Sequence, residues 1–328
     1  MSYSHLSAEE RIEFYKLRAN QELSLRQIAK QMKRSQSTLS RELQRNSVDS
    51  SLYLPDVAEQ RQQKRRAESK TTFKSVIDES ILEIKRRLKK YHSPEQIAGR
   101  LNREGKSRVS HETIYKMIYA DYKGLGRYQK YLRQGRGKRK QRKDVKAKQG
   151  RIVGRIGIEN RPAIADEKTE IGHWESDTMI GSNHNGVIVT HVDKASKFLV
   201  AGFGRNKTAE EINKVTLALF SPIKKEDCKT MTFDNGKEFC GHAKIADELG
   251  VLCFFARPYH SWERGLNEHT NGLIRQFFPK GTNFIIAKSS DLENAVELIN
   301  YRPRKSLDYR TPFEVFFRHT SDSDALQI

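Results

Sequence analysis

Several things are scarce in this 328-residue chain, and each scarcity removes a class of protein. There are three cysteines, Cys228, Cys240 and Cys253. They are odd in number and spaced too widely for CxxC zinc knuckles, so reduced and mostly buried thiols are expected. The longest fully apolar run near the centre of the chain is Val251 to Ala256, far short of the ~20 residues that a membrane span needs. Met1-Ser2-Tyr3-Ser4-His5 offers no apolar signal core, which points to a cytosolic protein with no membrane partner. No Ser/His or Tyr nucleophile motif stands out either.

What is present in excess is positive charge, and it is segregated. The formal net charge is +20. Residues 1–150 hold 37 Lys and Arg against 17 Asp and Glu, which accounts for all of it, and residues 151–328 hold 24 of each sign. A basic half beside a neutral half suggests a polyanion-binding region and a separate globular domain.

The basic half opens with helix punctuation. Ser7-Ala8-Glu9-Glu10 reads as a capping box ahead of Ile12, Phe14, Tyr15 and Leu17. A second box, Ser24-Leu25-Arg26-Gln27, opens a short helix with Leu25, Ile28, Ala29 and Met32 inward. Lys33-Arg34 turns the chain, and Ser35 caps a third helix that runs to about Asn46. This is a helix-turn-helix pattern, with Lys33 where the turn usually has glycine. Gln36, Ser37, Arg41 and Arg45 fall on the exposed side of the third helix, where they can reach base edges and phosphates in a major groove. A generic three-helix bundle is the alternative.

A similar unit follows. Ile81, Ile84 and Leu88 mark one helix, Ser93-Pro94-Glu95-Gln96 starts another, and Ser110 caps a third that carries His111, Thr113 and Lys116 in its first turns. SLRQIAKQM and SPEQIAGRL echo one another, which suits two DNA-reading heads in tandem or a dimerisation bundle. From Lys123 to about Arg155 the chain becomes rich in Gly, Lys, Arg and Gln, with Arg139 and Lys140 at its centre. Without apolar periodicity this stretch should pack no core, and it reads as a linker or as an arm that lies along phosphates. The expected organisation is residues 1–50 and 51–122 as two helix-turn-helix domains, 123–165 as the basic linker, and 166–328 as the catalytic domain.

In the neutral half, strands are expected at His173–Ile180, Val187–Val192 and Phe198–Phe203, then a helix capped by Thr208. A strand at Lys229–Phe233, a helix from about Gly241 to Leu249, a strand at Val251–Phe255 and a helix through Glu263, Glu268 and Phe277 complete the series. That is the element order of a ribonuclease-H-like α/β domain with a mixed five-stranded sheet, so the fold class is multidomain, with an all-α tandem helix-turn-helix region in front. In such a sheet strands one and four lie side by side. Asp177 and Asp234 then meet above the sheet, and Glu268 passes over the same spot. Three hard oxygen ligands of this kind can share two divalent cations for an in-line phosphodiester displacement. Glu175 and Asp193 are rival carboxylates, and Glu175 shares a strand face with Asp177.

The segments GHWESDT, TFDNGKEF, RPYHSWERGLNEHTNGLIRQFFPKGTNF and NYRPRKSLDYRTPFEVFF, with 33 residues between Asp234 and Glu268, closely resemble the DDE transposases of the IS-thirty insertion-sequence family. The resemblance covers essentially the whole chain, and Ser176 stands where the family often has glycine. It implies Asp177, Asp234 and Glu268 as the metal-binding catalytic triad with two Mg²⁺ ions (Mn²⁺ a possible substitute). It also implies a bacterial cytoplasmic protein, associated with the nucleoid when bound to DNA. Double-stranded DNA, both terminal inverted repeats and target, is the expected partner, and a homodimer or larger assembly is expected on it. Binding the repeats, cleaving a strand and transferring it to target DNA is the expected activity. A helix-turn-helix regulator without strand transfer is the alternative. Arg257, His260, Trp262 and Arg264 lie on the approach to the third acid as candidate phosphate or base contacts, although Trp262 and His260 would equally serve as core residues. Arg275 sits two turns beyond Glu268, where it could face DNA, and Asn235 is a candidate to orient the metal site.

Overall fold

The structure, a computed structural model, describes residues 5–19, 22–48, 52–70, 73, 76–133, 152–257, 260, 263 and 265–319. Arg139, Lys140, Trp262 and Arg264 lie outside the described residues. The chain forms two compact units that divide between residues 75 and 76.

The first unit holds α1 (Ala8–Ala19), α2 (Leu25–Gln31), α3 (Gln36–Asn46) and α4 (Pro55–Lys70). Both expected capping boxes form. Ser7 and Glu10 exchange backbone-to-side-chain bonds of 2.8 and 3.1 Å, and Ser24 and Gln27 do the same at the start of α2. Lys33 takes the left-handed backbone, with φ of 51°, that glycine would occupy more cheaply in the turn. Phe14, Ile28, Ala29 and Leu39 are buried in the core between the helices. Tyr53 and Ala58 join that core from the segment beyond residue 50, so α4 closes this unit and the expected boundary falls inside it. Arg11 is buried and bonds Glu42 of α3 at 2.8 Å and Glu59 of α4, which ties three helices through one paired charge.

The second unit begins with α5 (Asp78–Lys89), α6 (Pro94–Arg103) and α7 (His111–Tyr119). Ser93 and Gln96 form the predicted box, with Pro94 in the first turn, and Ser110 caps α7. Residues 123–133, expected to belong to an unpacked linker, instead lie largely in two 3-10 turns, with Leu125 and Tyr128 buried. They pack on α5 and α7 because the basic residues between them point outward while these two apolar side chains share one side. The helices also bond to the C-terminal part of the same unit. Arg100 grips Glu314 with two bonds of 2.6 Å, and the Tyr91 ring stands edge-on to Phe277 with centroids 5.0 Å apart.

After a short helix, α8 (Ile164–Glu167), comes the sheet: β1 (His173–Ile180), β2 (Val187–Asp193), β3 (Leu199–Gly204), β4 (Thr230–Phe233) and β5 (Leu252–Phe255). Its order is β3-β2-β1-β4-β5, with the first three strands antiparallel and β1-β4-β5 parallel. The connecting helices are α9 (Ala209–Phe220) and α10 (His242–Leu249), and α11 (Gly265–Ile274), α12 (Ser289–Asn300) and α13 (Pro312–His319) follow the sheet. Alternation along the strands sorts side chains to two cores. Trp174, Val187, Val189, Met231 and Phe233 pack with Ile212, Phe220 and Ile245 of α9 and α10. Met179, Ile188 and Val192 pack with Leu273 and Ile274 of α11 and with Leu292 and Ile299 of α12. The turn between β1 and β2 needs Gly186, whose φ is +75° and where a Cβ would stand 2.9 Å from that of Phe284.

His191 lies wholly inside the first of these faces, its ring nitrogens 2.7 Å from Ser176 Oγ and 3.2 Å from Thr216 Oγ1. Burial pushes its pKa down to about 3, so the folded chain keeps it neutral while an unfolded chain would protonate it below about 6.5. The unfolded state thus binds the extra proton. Stability should therefore fall as pH drops from 6.5 toward 4, by at most about 1.4 kcal/mol per pH unit from this group. Urea unfolding across that range should show a shallower pH dependence for His191→Gln than for the unsubstituted chain.

Candidate active site

The site grows from the pairing of β1 with β4. Their register runs from His173↔Thr230 to Glu175↔Thr232. Two residues past the last of these pairs lie Asp177, midway along β1, and Asp234, just after the end of β4, which alternation puts on the α11 side of the sheet. Local backbone holds both carboxylates. Thr178 N–H donates to Asp177 Oδ1 at 2.9 Å, and Gly236 N–H donates to Asp234 Oδ1 at 2.8 Å. The helix α11 reaches the same place, since Asn271 Nδ2 donates to the other oxygen of Asp177 at 2.9 Å. Glu268 is exposed on the turn of α11 just before Asn271. Asp177 and Asp234 thus belong to the paired segments β1 and β4, and Glu268 to the helix that bonds Asp177. Among the described residues, however, no three His, Cys, Asp or Glu side chains stand close enough to hold a metal ion. Carboxylates are donors of the hard-oxygen type that suits Mg²⁺ or Mn²⁺.

The rival acids have other tasks. Glu175 is buried and accepts the backbone N–H of Asn267 at 3.1 Å, in the first turn of α11. Asp193 is buried and accepts from the backbone of Gly172 and Ser196 and from Ser196 Oγ, while burial raises its pKa. A residue not singled out from sequence is Glu238, four positions after Asp234. It is 5 % exposed, accepts Thr178 Oγ1 at 3.0 Å and pairs with Lys207 at 2.7 Å. Its signal was the acid in TFDNGKEF, but nothing in the spacing says that Glu238 turns back under Thr178. Thr190 Oγ1 adds a further brace, donating toward Asn267 and Asn271 from β2 at 3.2 and 3.1 Å.

The other expected site residues are spread more widely. Asn235 Nδ2 bonds Ala256 O at 2.7 Å, so it laces the ends of β4 and β5 together. Arg257 is exposed, its backbone N–H bonded to Glu263, and His260 is half-buried nearby in the chain. Arg275 donates to Ile180 O at 3.2 Å and to Phe278 O at 3.4 Å, and its guanidinium lies 5.7 Å from the Phe284 ring centroid. These contacts fasten α11 to the end of β1. A cleft of about 1280 Å³ opens beside the acids and is lined by Glu175, Lys194, Lys197, Arg257 and Leu266, among others; none of the three acids lines it. In the first unit Gln36, Ser37, Arg41 and Arg45 are all exposed on α3. On α7, His111 and Lys116 are exposed, and Thr113 is half-buried with its N–H donated to Ser110.

Comparison with known proteins fits this division. Residues 2–46 match the Helix-turn-helix domain family, and residues 167–261 match the Integrase core domain family. The chain is 38% identical over 297 residues to the transposase for insertion sequence element IS4351 of Bacteroides fragilis, covering 90% of each. It is 33% identical over 333 residues to the transposase InsI for insertion sequence element IS30A of Escherichia coli, covering 98% of this chain and 85% of that one. The chain belongs to the IS30-related family of insertion-sequence transposases. A third member, the transposase for insertion sequence element IS1086 of Cupriavidus metallidurans, is 32% identical over 326 residues and covers 95% of this chain and 94% of its own. Both the helical N-terminal region and the mixed five-stranded sheet are therefore features of a transposase.

If Glu175 serves α11 as a buried cap acceptor, Glu175→Ala should lower the stability of the chain by about 1–3 kcal/mol in urea unfolding, and Glu175→Gln should recover part of that loss. Equal losses in the two variants would show that the hydrogen bond is not what counts.

Proposed function

We propose that this transposase binds the terminal inverted repeats of its element, cleaves one strand at each end to free a 3′ hydroxyl, and transfers that hydroxyl to a phosphodiester of target DNA. The observation that supports the reading is that Asp177 and Asp234 each follow the last β1–β4 pair by two residues, with Asn271 binding Asp177 from the helix that bears Glu268. Asp177, Asp234 and Glu268 would hold two Mg²⁺ ions, with Mn²⁺ able to substitute. Bound there, such cations would acidify the attacking hydroxyl and offset charge on the leaving oxygen.

The residues of the chain supply the arrangement. Asn271 and the Thr178 amide donate to different oxygens of Asp177, which fixes its carboxylate plane. The Gly236 amide orients Asp234. Glu238, joined to Thr178 and Lys207, steadies the strand segment beside Asp177. In the hydrolytic step water attacks phosphorus and the bond to the 3′ oxygen breaks; in the transfer step that 3′ oxygen attacks and a target-strand oxygen leaves. Neither step needs a nucleophile from the protein. For DNA recognition, Gln36, Ser37, Arg41 and Arg45 of α3 enter a major groove. His111, Thr113 and Lys116 belong to a second head, and Arg139 and Lys140 to an arm along phosphates. Arg257, His260, Arg264 and Arg275 are the proposed contacts nearer the acids. Two element ends must be held together, which calls for a homodimer or larger assembly on DNA. No helix among the described residues is long and apolar enough to cross a membrane.

Strand transfer of a labelled element end into a plasmid, with Mg²⁺, tests this. Asp177→Asn, Asp234→Asn and Glu268→Gln should each abolish product while gel-shift affinity for the end stays within about twofold. Full activity in any one of them would remove that residue from the site. Asn271→Ala removes a donor from Asp177 without removing an acid, and should lower the rate by about 10- to 100-fold. Arg41→Ala should weaken end binding by about 5- to 150-fold, the range for removal of one base-reading side chain, and leave the Mg²⁺ requirement unchanged.

A further inference from the structure

Away from the acids, the second unit gathers three arginines and a histidine that no carboxylate among the described residues answers. Arg302 is 2 % exposed, and only its Nη1 finds a partner, Gln276 Oε1 at 3.3 Å; Nε and Nη2 are buried with none. Arg304 donates Nη2 to Ile299 O at 3.2 Å and leaves Nε buried without a partner. His92, 6 % exposed, sits against Arg302 with both ring nitrogens unpartnered. Arg133 completes the group from the last described turn before the basic segment. Its Nη2 lies 2.8 Å from where a Cβ on Gly272 would be, so the glycine makes room for the guanidinium on α11.

The charges of this group are frustrated. Among the described residues, the groups that act on Arg302 are Arg133 and the Tyr91 phenol, and those on Arg304 are Arg302 and Arg133. Burial, together with these neighbours, pulls Arg302 down to about 10 and Arg304 to about 9. Burial and the nearby arginines and lysine take His92 to about 3. Leaving buried guanidinium donors unmatched costs free energy for each one, so the arrangement makes sense if an anion completes it. Position says which anion. Glu268 and Gly272 are spaced four residues apart on α11, so Arg133 meets the helix about 6 Å along its axis from the third acid. Arg302 bonds Gln276 in the turn that follows the end of α11. A DNA strand lying in the site carries a phosphate at every nucleotide, and guanidinium forks match a phosphate geometrically.

We propose that Arg133, Arg302 and Arg304, with His92 behind them, form a phosphate site that grips the backbone of a DNA strand lying in the site, away from the phosphate being cut. Arg133, on the surface, is the member that the phosphate meets first. The proposal rests on the transposase reading only for the source of the phosphate. The oxyanion chemistry stands apart from it.

Two arms separate these. In the first, thermal unfolding of the full chain is followed without DNA in sodium phosphate and in sodium chloride of equal ionic strength. Phosphate at about ten times its dissociation constant should raise Tm by about 2–4 °C, an effect reduced in Arg133→Gln and absent in the Arg302→Gln/Arg304→Gln double variant. In the second, affinity for an element-end duplex is measured against salt concentration in EDTA. The slope of log K on log salt should fall by about one for each phosphate that a variant no longer neutralises. Arg133→Gln alters an exposed side chain and so keeps both arms readable if the double variant fails to fold. A phosphate effect with unchanged slopes would leave an oxyanion site and overturn the DNA contact. Unchanged Tm and slope in Arg133→Gln, and in the double variant if it folds, would overturn the site altogether. Failure of the wild-type chain to bind the duplex would instead fall on the transposase reading, and the first arm would still decide the oxyanion site.

Discussion

Because β1 and β4 pair in parallel over only three residue pairs, two segments far apart in the chain must be brought together by something other than their own ladder. The hydrophobic faces on either side do this. Trp174, Met231 and Phe233 bury against α9 and α10, and Met179 buries against α11, so the strand order follows from which residues find apolar partners. Alternation does the rest. Once Trp174 and Met231 point one way, Glu175, Asp177 and Asp234 must lie on the other side, where α11 crosses. A one-residue slip of β1 against β4 would turn Asp177 into the first core and Ser176 toward α11. Fold stability and placement of the acids are therefore one constraint.

That constraint also bears on how several carboxylates coexist in a small sheet. Three buried acids outside the site have donors of their own: Asn267 N–H for Glu175, Gly172 and Ser196 for Asp193, Thr178 and Lys207 for Glu238. An acid matched in this way has its desolvation offset. Asp177 and Asp234 also accept donors, from Thr178, Asn271 and Gly236, while Glu268 is exposed on α11.

The features legible in the sequence were those set by local chemistry. The capping boxes at Ser7, Ser24 and Ser93 depend on residues three apart, and strand alternation across Trp174 to Asp177 depends on neighbours. The five strands and their helices were legible for that reason. What escaped depended on long-range packing. Tyr128 and Leu125 stand among lysines and arginines, and their burial follows from contacts with α5 and α7 that no local pattern announces. The helix α4 is highly charged, yet Ala58 and the preceding Tyr53 complete the first core. Glu238 and Asn271 were visible as letters, but their pairing with Thr178 and Asp177 arises only when β1, the turn after β4, and α11 converge. Asp177, Asp234 and Glu268, the acids proposed to bind metal, were named from spacing and resemblance.

Charge counted along the chain and charge counted in space give different pictures, and the difference bears on function. Residues 151–328 balance to zero, which by itself suggests a domain indifferent to polyanions. In space the signs are sorted. Asp177 of β1 is bonded from α11, which carries Glu268, while Arg302 and Arg304 gather with Arg133 and His92 by the same helix and the turn after it. An enzyme that cuts a phosphodiester needs both: oxygen ligands at the scissile phosphate, and cationic donors on neighbouring phosphates, whose charge would otherwise repel those acids. Uniform positive charge would raise affinity for DNA everywhere along the duplex. A patch one to two turns from Glu268 acts only on a strand already lying in the site, so it contributes to placement of the reacting phosphate more than to affinity in general.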